Sequence, residues 1–404
     1  MTMTARQRVI DTLHFRPTDR YPYQFGGPRT STWQAWHLQG LPDQLEGAAF
    51  HRWVGADVPP EDAPVLPYPD FQARPRFQPR TLQVVGDKKI WIDDMGVKRI
   101  DHLKPPTSGF ETRRYLEFPV TDRSSFLRMA ERFRPDPARV PEEYRRHAPL
   151  LADRDWSFYF AAPGLFWKIR DWVGFENLCM MFVDNPRLVH EMMEFWTDFL
   201  RAVLDDVLRV VTPEYIFLNE DMAYKSASMI SPAMCREFLV PRWKRIVEGI
   251  KSRGVPAAVM DCDGHVSELV PLWIECGFDA AWPFEAAAGN DAVAVRRRYG
   301  KSVAILGSID KRPLMKDKAA VRREVMSKVP FLASGGGYVP EVDHGVPPDA
   351  KLRNYLYLAE LLKALAEGRD ANAIEKSPLE DDLGPVRQEW TPDMALPHDE
   401  DSQS

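Results

Sequence analysis

The chain has 404 residues, a formal net charge of −6, 44% hydrophobic residues and 28% charged residues. That balance supports a large packed core, at a length that an α/β barrel fills as one domain. Basic residues are outnumbered and dispersed, which excludes a nucleic-acid surface, and no apolar run approaches the roughly 18 residues of a membrane span.

The opening MTMTARQRVIDTLHF lacks the apolar stretch of a signal peptide and reads as an amphipathic helix with Val9, Ile10 and Leu13 on one side. A cytoplasmic protein is expected. The four cysteines, Cys179, Cys235, Cys262 and Cys276, form no C-x-x-C pair, so free and mostly buried thiols are expected. YPYQFGG (21–27) reads as a first strand. Many of the 35 prolines fall in residues 41–80, which cannot hold long helices. That stretch reads as an extended excursion wrapped on the body, with Trp53, Tyr68 and Phe71 supplying surface to bury. Residues 82–103 alternate and turn at Gly86-Asp87 and Met95-Gly96, a hairpin or meander signal.

From residue 155 a second rhythm begins, in which a short β-prone run is followed by a helical pattern. The runs are WSFYFAAP (156–163), EYIFLNED (214–221), AAVMDCDG (257–264), AAWPFEA (280–286), SVAILGSID (302–310) and GYVPEVDH (337–344). Such repetition implies parallel strands with right-handed crossovers. An open doubly wound sheet is the alternative, but no GxGxxG follows the first strand. The expected fold is therefore a (β/α)8 TIM barrel over residues 1–375, with the Pro-rich segment and hairpin as an N-terminal excursion. Residues 376–404 are polar and acidic without periodicity, and are expected to form a flexible tail.

In a barrel the chemistry sits where the strands end. Here the ends carry Glu220-Asp221, Asp261-Cys262-Asp263, Glu285, Ser308 with Asp310, and Asp343-His344. Asp221 and Asp310 also read as helix caps. Asp261 and Asp263 are two residues apart, so both point to one side of an extended strand, where two like charges need a cation or a raised pKa. His344 follows Asp343 in the loop DHGVPPD. Asp263, His344 and an assisting Glu220 are candidate catalytic groups. Asp261, Asp263 and His344 together would suit zinc or another divalent metal, and the same groups without metal would serve as acid and base. Arg29, Tyr224, Trp282 and Glu285 are candidates to hold substrate.

The stretches TARQRVIDTLHFRPTDRYPYQFG, EDMAYKSASMISPAMCREFLVPRWKRI, VMDCDGHVSELVPLWIECGFDAAWPFE and GGGYVPEVDHGVPPDAKLRNY resemble the uroporphyrinogen decarboxylase-like family, across most of residues 3–365. The resemblance implies a (β/α)8 barrel and a homodimer. The family's decarboxylases carry an Arg-rich PxWxMRQAGR motif near the first strand; here that region reads FGGPRTS, and only Arg29 stands in for it. The family's methyltransferases, which serve corrinoid proteins or coenzyme M, bind zinc through a His-x-Cys pair and a later Cys. Aligned on the following glycine, those positions fall on Asp261, Asp263 and His344, oxygen and nitrogen in place of thiolate, with Cys262 one residue out of register and pointing away. The resemblance implies a methyltransferase or demethylase that moves a methyl group between a small substrate and a corrinoid on a partner protein. The alternatives are a metal-free decarboxylase of a carboxylated substrate, with Arg29 on the carboxylate, and a non-catalytic binding partner of a corrinoid protein.

Overall fold

A computed structural model describes residues 3–103 and 114–391. Its strands form two sheets. β1 (Arg80–Val85), β2 (Lys88–Ile92), β3 (Lys98–His102) and β4 (Arg114–Glu117) make an antiparallel meander in that order. Gly86, at φ +62°, makes the first turn, where a residue with a Cβ would be strained.

The second sheet is parallel: β5 (Tyr159–Pro163), β6 (Tyr215–Asn219), β7 (Ala257–Asp261), β8 (Ala280–Trp282), β9 (Ala304–Ile309) and β10 (Tyr338–Val342) lie side by side in chain order. Each is followed by helical structure, including the long helices Pro186–Leu208, Val240–Ser252, Lys318–Ser334 and Leu352–Ala366. None of the helices among the described residues is long and apolar enough to cross a membrane.

Alternate residues of these strands build an inner core. Tyr215, Ala257, Val259, Ala280, Ala304, Leu306 and Val339 meet Val9 and Leu13 of the helix Ala5–Leu13. The sheet thus curls around its own side chains, and the first helix packs against that inner core. The opposite face carries Ile216, Leu218, Ala258, Met260, Ala281 and Ile305 into a larger core shared with the surrounding helices.

The expected first strand, 21–27, lies beside β10. Phe25 O accepts from Val342 N at 3.5 Å and Gly27 O accepts from Val346 N at 2.9 Å. It forms no regular ladder. Pro22 has no N–H to give, and Gly26, at φ +87°, lies so close to β10 that a Cβ would sit 2.8 Å from Val342 Cβ. Hydrogen-bonded ladders among the described residues therefore join six parallel strands; the closed ring of eight that the sequence predicts is not completed by them.

The Pro-rich stretch is held by Arg139, which is 2% exposed and donates to the carbonyls of Asp70, Gln72, Arg132 and Arg134. The first part of the expected flexible tail is also docked. Gly384 N donates to Gly40 O at 2.8 Å, Arg387 N to Leu38 O at 2.8 Å, and Lys318 pairs with Glu380 at 2.7 Å. Backbone bonds of this kind leave no periodic trace in sequence. The rest of the tail, 392–404, lies outside the described residues.

One buried carboxylate ties the N-terminal helix to the sheet. Glu214, 1% exposed, accepts from Arg154 at 2.7 Å, from Arg6 at 2.7 Å and from Phe158 N at 2.6 Å. Glu214→Gln keeps the shape but leaves a buried arginine uncompensated, so it is expected to lose about 3–5 kcal/mol of stability, measured from urea unfolding at neutral pH.

Candidate active site

The ends of β6 to β10 gather the chemistry. β7 turns Ala257 and Val259 inward, and the same alternation carries Asp261 to the inner face and Cys262 to the outer one. Cys262 is 1% exposed and its sulfur accepts from Met222 N at 3.3 Å, so it points away from the mouth, as the register predicts. The chain then turns at Gly264 (φ +82°), where a Cβ would lie 2.4 Å from Ala223 O.

Asp263 and His344 meet. His344 Nε2 lies 3.1 Å from Asp263 Oδ2. The imidazole is also supported by Trp282, whose ring centroid is 6.1 Å away at an interplanar angle of 31°. Asp261, like Asp263, is half-buried. Burial holds its carboxyl well above the usual carboxylate range, and the neighbouring charges of Asp263 and Asp221 push it the same way. Asp221, at the strained φ of +37°, is raised by burial and by Asp263 and is restrained by Arg170, 3.3 Å from its Oδ2. Phe284 (φ +55°) and Ser308 (φ +72°) hold similar left-handed conformations after β8 and within β9. Such strain in residues other than glycine clusters at functional sites.

The remaining candidates separate into two groups. Glu285 accepts from Gly264 N at 3.0 Å and lies 3.5 Å from Lys311, so it braces the turn that carries Asp263. Asp343, fully buried, accepts from Ala286 N at 2.8 Å and stiffens the same rim beneath His344. Arg29 caps the helix Thr30–Leu38, and its N–H donates to Val346 O, two residues beyond His344. Tyr224 sits on an outer turn and is 70% exposed.

Glu220 does not join the mouth. It is fully buried on the outer face, accepting from Leu165 N at 2.8 Å, Phe166 N at 2.7 Å and Trp243 Nε1 at 2.6 Å. It caps the helix Leu165–Val173, and Gly164 is required there because a Cβ would lie 2.4 Å from the carboxyl carbon. The expected assisting role gives way to a structural one. The strand signalled it: Ile216 and Leu218 face outward, so Glu220 shares their side.

Two groups escaped the sequence reading. Arg170 lies on a helix with no motif. Tyr68, in the Pro-rich stretch and expected to be buried, is instead 46% exposed, and it lies close enough to Asp261 for that carboxylate to help raise its hydroxyl above its ordinary range.

The expected metal set fares differently from its members. Asp263 and His344 bind each other directly, and among the described residues no three His, Cys, Asp or Glu converge so as to hold a metal ion. The side chains as placed fit an acid–base cluster and not a metal centre. A groove of about 510 Å³ lies elsewhere, between the helices Pro186–Leu208 and Val240–Ser252, and its lining includes none of the strand-end groups.

The chain is similar to known proteins over the same part of its length. Residues 170–365, which contain β6 to β10, match the uroporphyrinogen decarboxylase (URO-D) family. A uroporphyrinogen decarboxylase of Azotobacter vinelandii is 28% identical over 199 residues, 43% of this chain and 48% of the relative. One from Ectopseudomonas mendocina is 28% identical over 184 residues, with the same coverage. The chain thus spans about half the length of the curated relatives it matches. A methyltransferase from Methanosarcina mazei shares the fold, with a TM-score of 0.56 at 14% identity over 89% of this chain and 98% of that one.

Asp261 also makes a stability prediction. Its carboxyl holds the proton to higher pH when folded than when unfolded. Below the ordinary carboxylate pKa of about 4 both states are protonated and nothing differs. As pH rises past that value, the unfolded chain releases its proton and the folded state is disfavoured. Asp261→Asn is expected to raise the urea midpoint at pH 8 and to leave it unchanged near pH 4.

Proposed function

Because the chain is a member of the uroporphyrinogen decarboxylase-like family, we propose that it is an enzyme that moves a methyl group from a small oxygen-bearing substrate to a corrinoid carrier held by a partner protein. The curled sheet is read as the family's (β/α)8 barrel, with the mouth at Asp261, Asp263 and His344 as its catalytic end. The observation that carries this reading is the meeting of strand-end groups beside Asp261, with His344 Nε2 3.1 Å from Asp263 Oδ2; burial and the charges of Asp263 and Asp221 raise the Asp261 carboxyl, which suits it to the role of an acid.

The reacting bond is the one between methyl carbon and substrate oxygen. As it breaks, its electron pair stays on the oxygen, and Asp261 donates the proton that turns a poor alkoxide leaving group into a neutral hydroxyl. The carrier, when docked, supplies the electron pair that accepts the methyl group. Asp263 and His344, bound to each other, fix the charge beside Asp261, while Trp282 and Tyr68 wall the space. Arg29, Glu285 and Tyr224 stand at or beyond the rim as substrate contacts. No step is assigned to a divalent metal, since the side chains do not form its ligand set.

The curated relatives supply a second reading, since those that match are named uroporphyrinogen decarboxylases. In it, carbon dioxide leaves a carboxylated substrate and the same Asp261 proton quenches the carbanion that remains.

The test incubates the full chain with reduced cobalamin and a set of methoxylated small molecules, following the cobalamin absorbance. Methyl transfer is expected, with Asp261→Asn lowering the rate about 10²–10⁴-fold. Release of carbon dioxide from a carboxylated substrate without methyl transfer would overturn the first reading in favour of the second. Turnover that survives both Asp263→Ala and His344→Ala would leave the mouth a docking surface. Zinc found in stoichiometric amount, and lost in those two variants, would restore the metal.

A further inference from the structure

Asn219 is a polar side chain that the chemistry above does not use. It ends β6, where Tyr215 and Phe217 face the inner core. Strand alternation turns Asn219 to the same face, opposite to Ile216 and Leu218. The side chain is half-buried, and its backbone is fixed, since Asn219 O accepts from Gly164 N at 2.7 Å. In the parallel register it stands beside Pro163 on one side and Asp261 on the other, and Asp261 in turn stands beside Trp282. Pro163, Asn219, Asp261 and Trp282 thus form one row across the mouth.

The floor below this row is aromatic. Phe217 meets the Trp282 ring at 6.1 Å and 64°, and it meets Tyr159 and Tyr215 edge to face at 5.6 and 5.3 Å. Beyond the row lies the Asp263–His344 pair. Three buried side-chain atoms here have no hydrogen-bond partner among the described residues: Asn219 Oδ1, Asp263 Oδ1 and His344 Nδ1. With His344 Nε2 donating to Asp263, the Nδ1 of the neutral ring carries a lone pair, so all three are acceptors. A buried acceptor left unpaired costs free energy, and its partner must then come from outside the chain. What the row lacks is a donor. Pro163 has no polar side chain, and the Asp261 proton is directed at the methyl-bearing oxygen.

We propose that Asn219 is a substrate-contact residue that sets specificity: its amide oxygen accepts a hydrogen bond from a hydroxyl or ammonium that the substrate carries near its methoxy oxygen. The proposal rests on the reading that this mouth holds the substrate. The methoxy oxygen meets Asp261, the carbon frame lies on Phe217 and Trp282, and the donor reaches Asn219. Neighbouring strands lie about 4.8 Å apart, a span that a short carbon chain bridges. A site built around a substrate donor rejects the analogue that lacks it, because its own buried acceptor is then left unpaired.

The test compares three compounds of one size: 2-methoxyethanol, 2-methoxyethylamine in its ammonium form, and 1-methoxypropane. They present a hydroxyl, an ammonium and a methyl group at the same position. Each is titrated against the full chain without cobalamin and followed by ligand-observed nuclear magnetic resonance. A donor-bearing compound is expected to bind about 10- to 100-fold more tightly than 1-methoxypropane, and the one that leads tells hydroxyl from ammonium. Asn219→Leu, close in size but without the amide, should abolish that preference. If Asn219→Leu fails to fold by near-ultraviolet circular dichroism, Asn219→Ser, which withdraws the oxygen, replaces it. Equal binding of the three compounds, binding of none, or a preference that survives in the variant overturns the proposal.

In a second arm, with reduced cobalamin present, Asn219→Leu should raise KM for the preferred compound by the same factor and change kcat far less. A donor preference without methyl transfer sinks the methyl-transfer reading and leaves the role of Asn219 standing. Methyl transfer at one rate from all three compounds sinks the role of Asn219 alone.

Discussion

Successive side chains along β7 point to opposite faces of the sheet, and that alternation orders the rest of the molecule. Ala257 and Val259 enter the inner core, while Ala258 and Met260 enter the outer one. Continuing the count delivers Asp261 to the mouth and Cys262 to the helices. A slip of one residue would put a thiol in the mouth and a carboxylate in the apolar layer. The same count, applied to β6, sends Glu220 outward to cap a helix, and applied to β10, sends Glu341 to the inner face beside Val339. Core and chemistry are therefore specified by one register, and neither can move without the other.

The inner face gains its character from what surrounds the carboxyls. Asp221, Asp261 and Asp263 act on one another, yet the cations nearby are committed at the edges. Arg170 is spent on Asp221, and Lys311 lies between Glu285 and Asp343. Crowded like charges in a desolvated place resolve by holding a proton. Strained backbone at Asp221, Phe284 and Ser308 is the conformational counterpart of that electrostatic tension. Buried bonds elsewhere, such as those of Glu214 and Arg139, hold the scaffold that sustains both.

The strands and their order were legible because each is a short apolar run closed by turn residues, and the repeated run-then-helix pattern allows few topologies. The pairing of Asp263 with His344 was legible too, since both fall at strand ends. Glu220 was misplaced because a strand end was treated as a point, when the parity of Ile216 and Leu218 already assigned its face. The incomplete ring could not be read, because it depends on the close approach of Gly26 to Val342, a contact with no local pattern. Tyr68 was read as surface to bury, since proline-rich backbone has no period from which to infer where an aromatic points.

The docking of residues 384–387 onto residues 38–40 has a consequence for how the molecule is made. Arg387 also reaches Asp43, a contact between residues 344 positions apart. The helix Thr30–Leu38 begins at Arg29, whose N–H donates to Val346 O. Both ends of an early helix are therefore tied to segments far later in the chain. Contacts of such separation form late, after long loops have closed. The region beside the first strand, and with it the Arg29 end of that helix, is thus held by contacts that close among the longest loops in the chain.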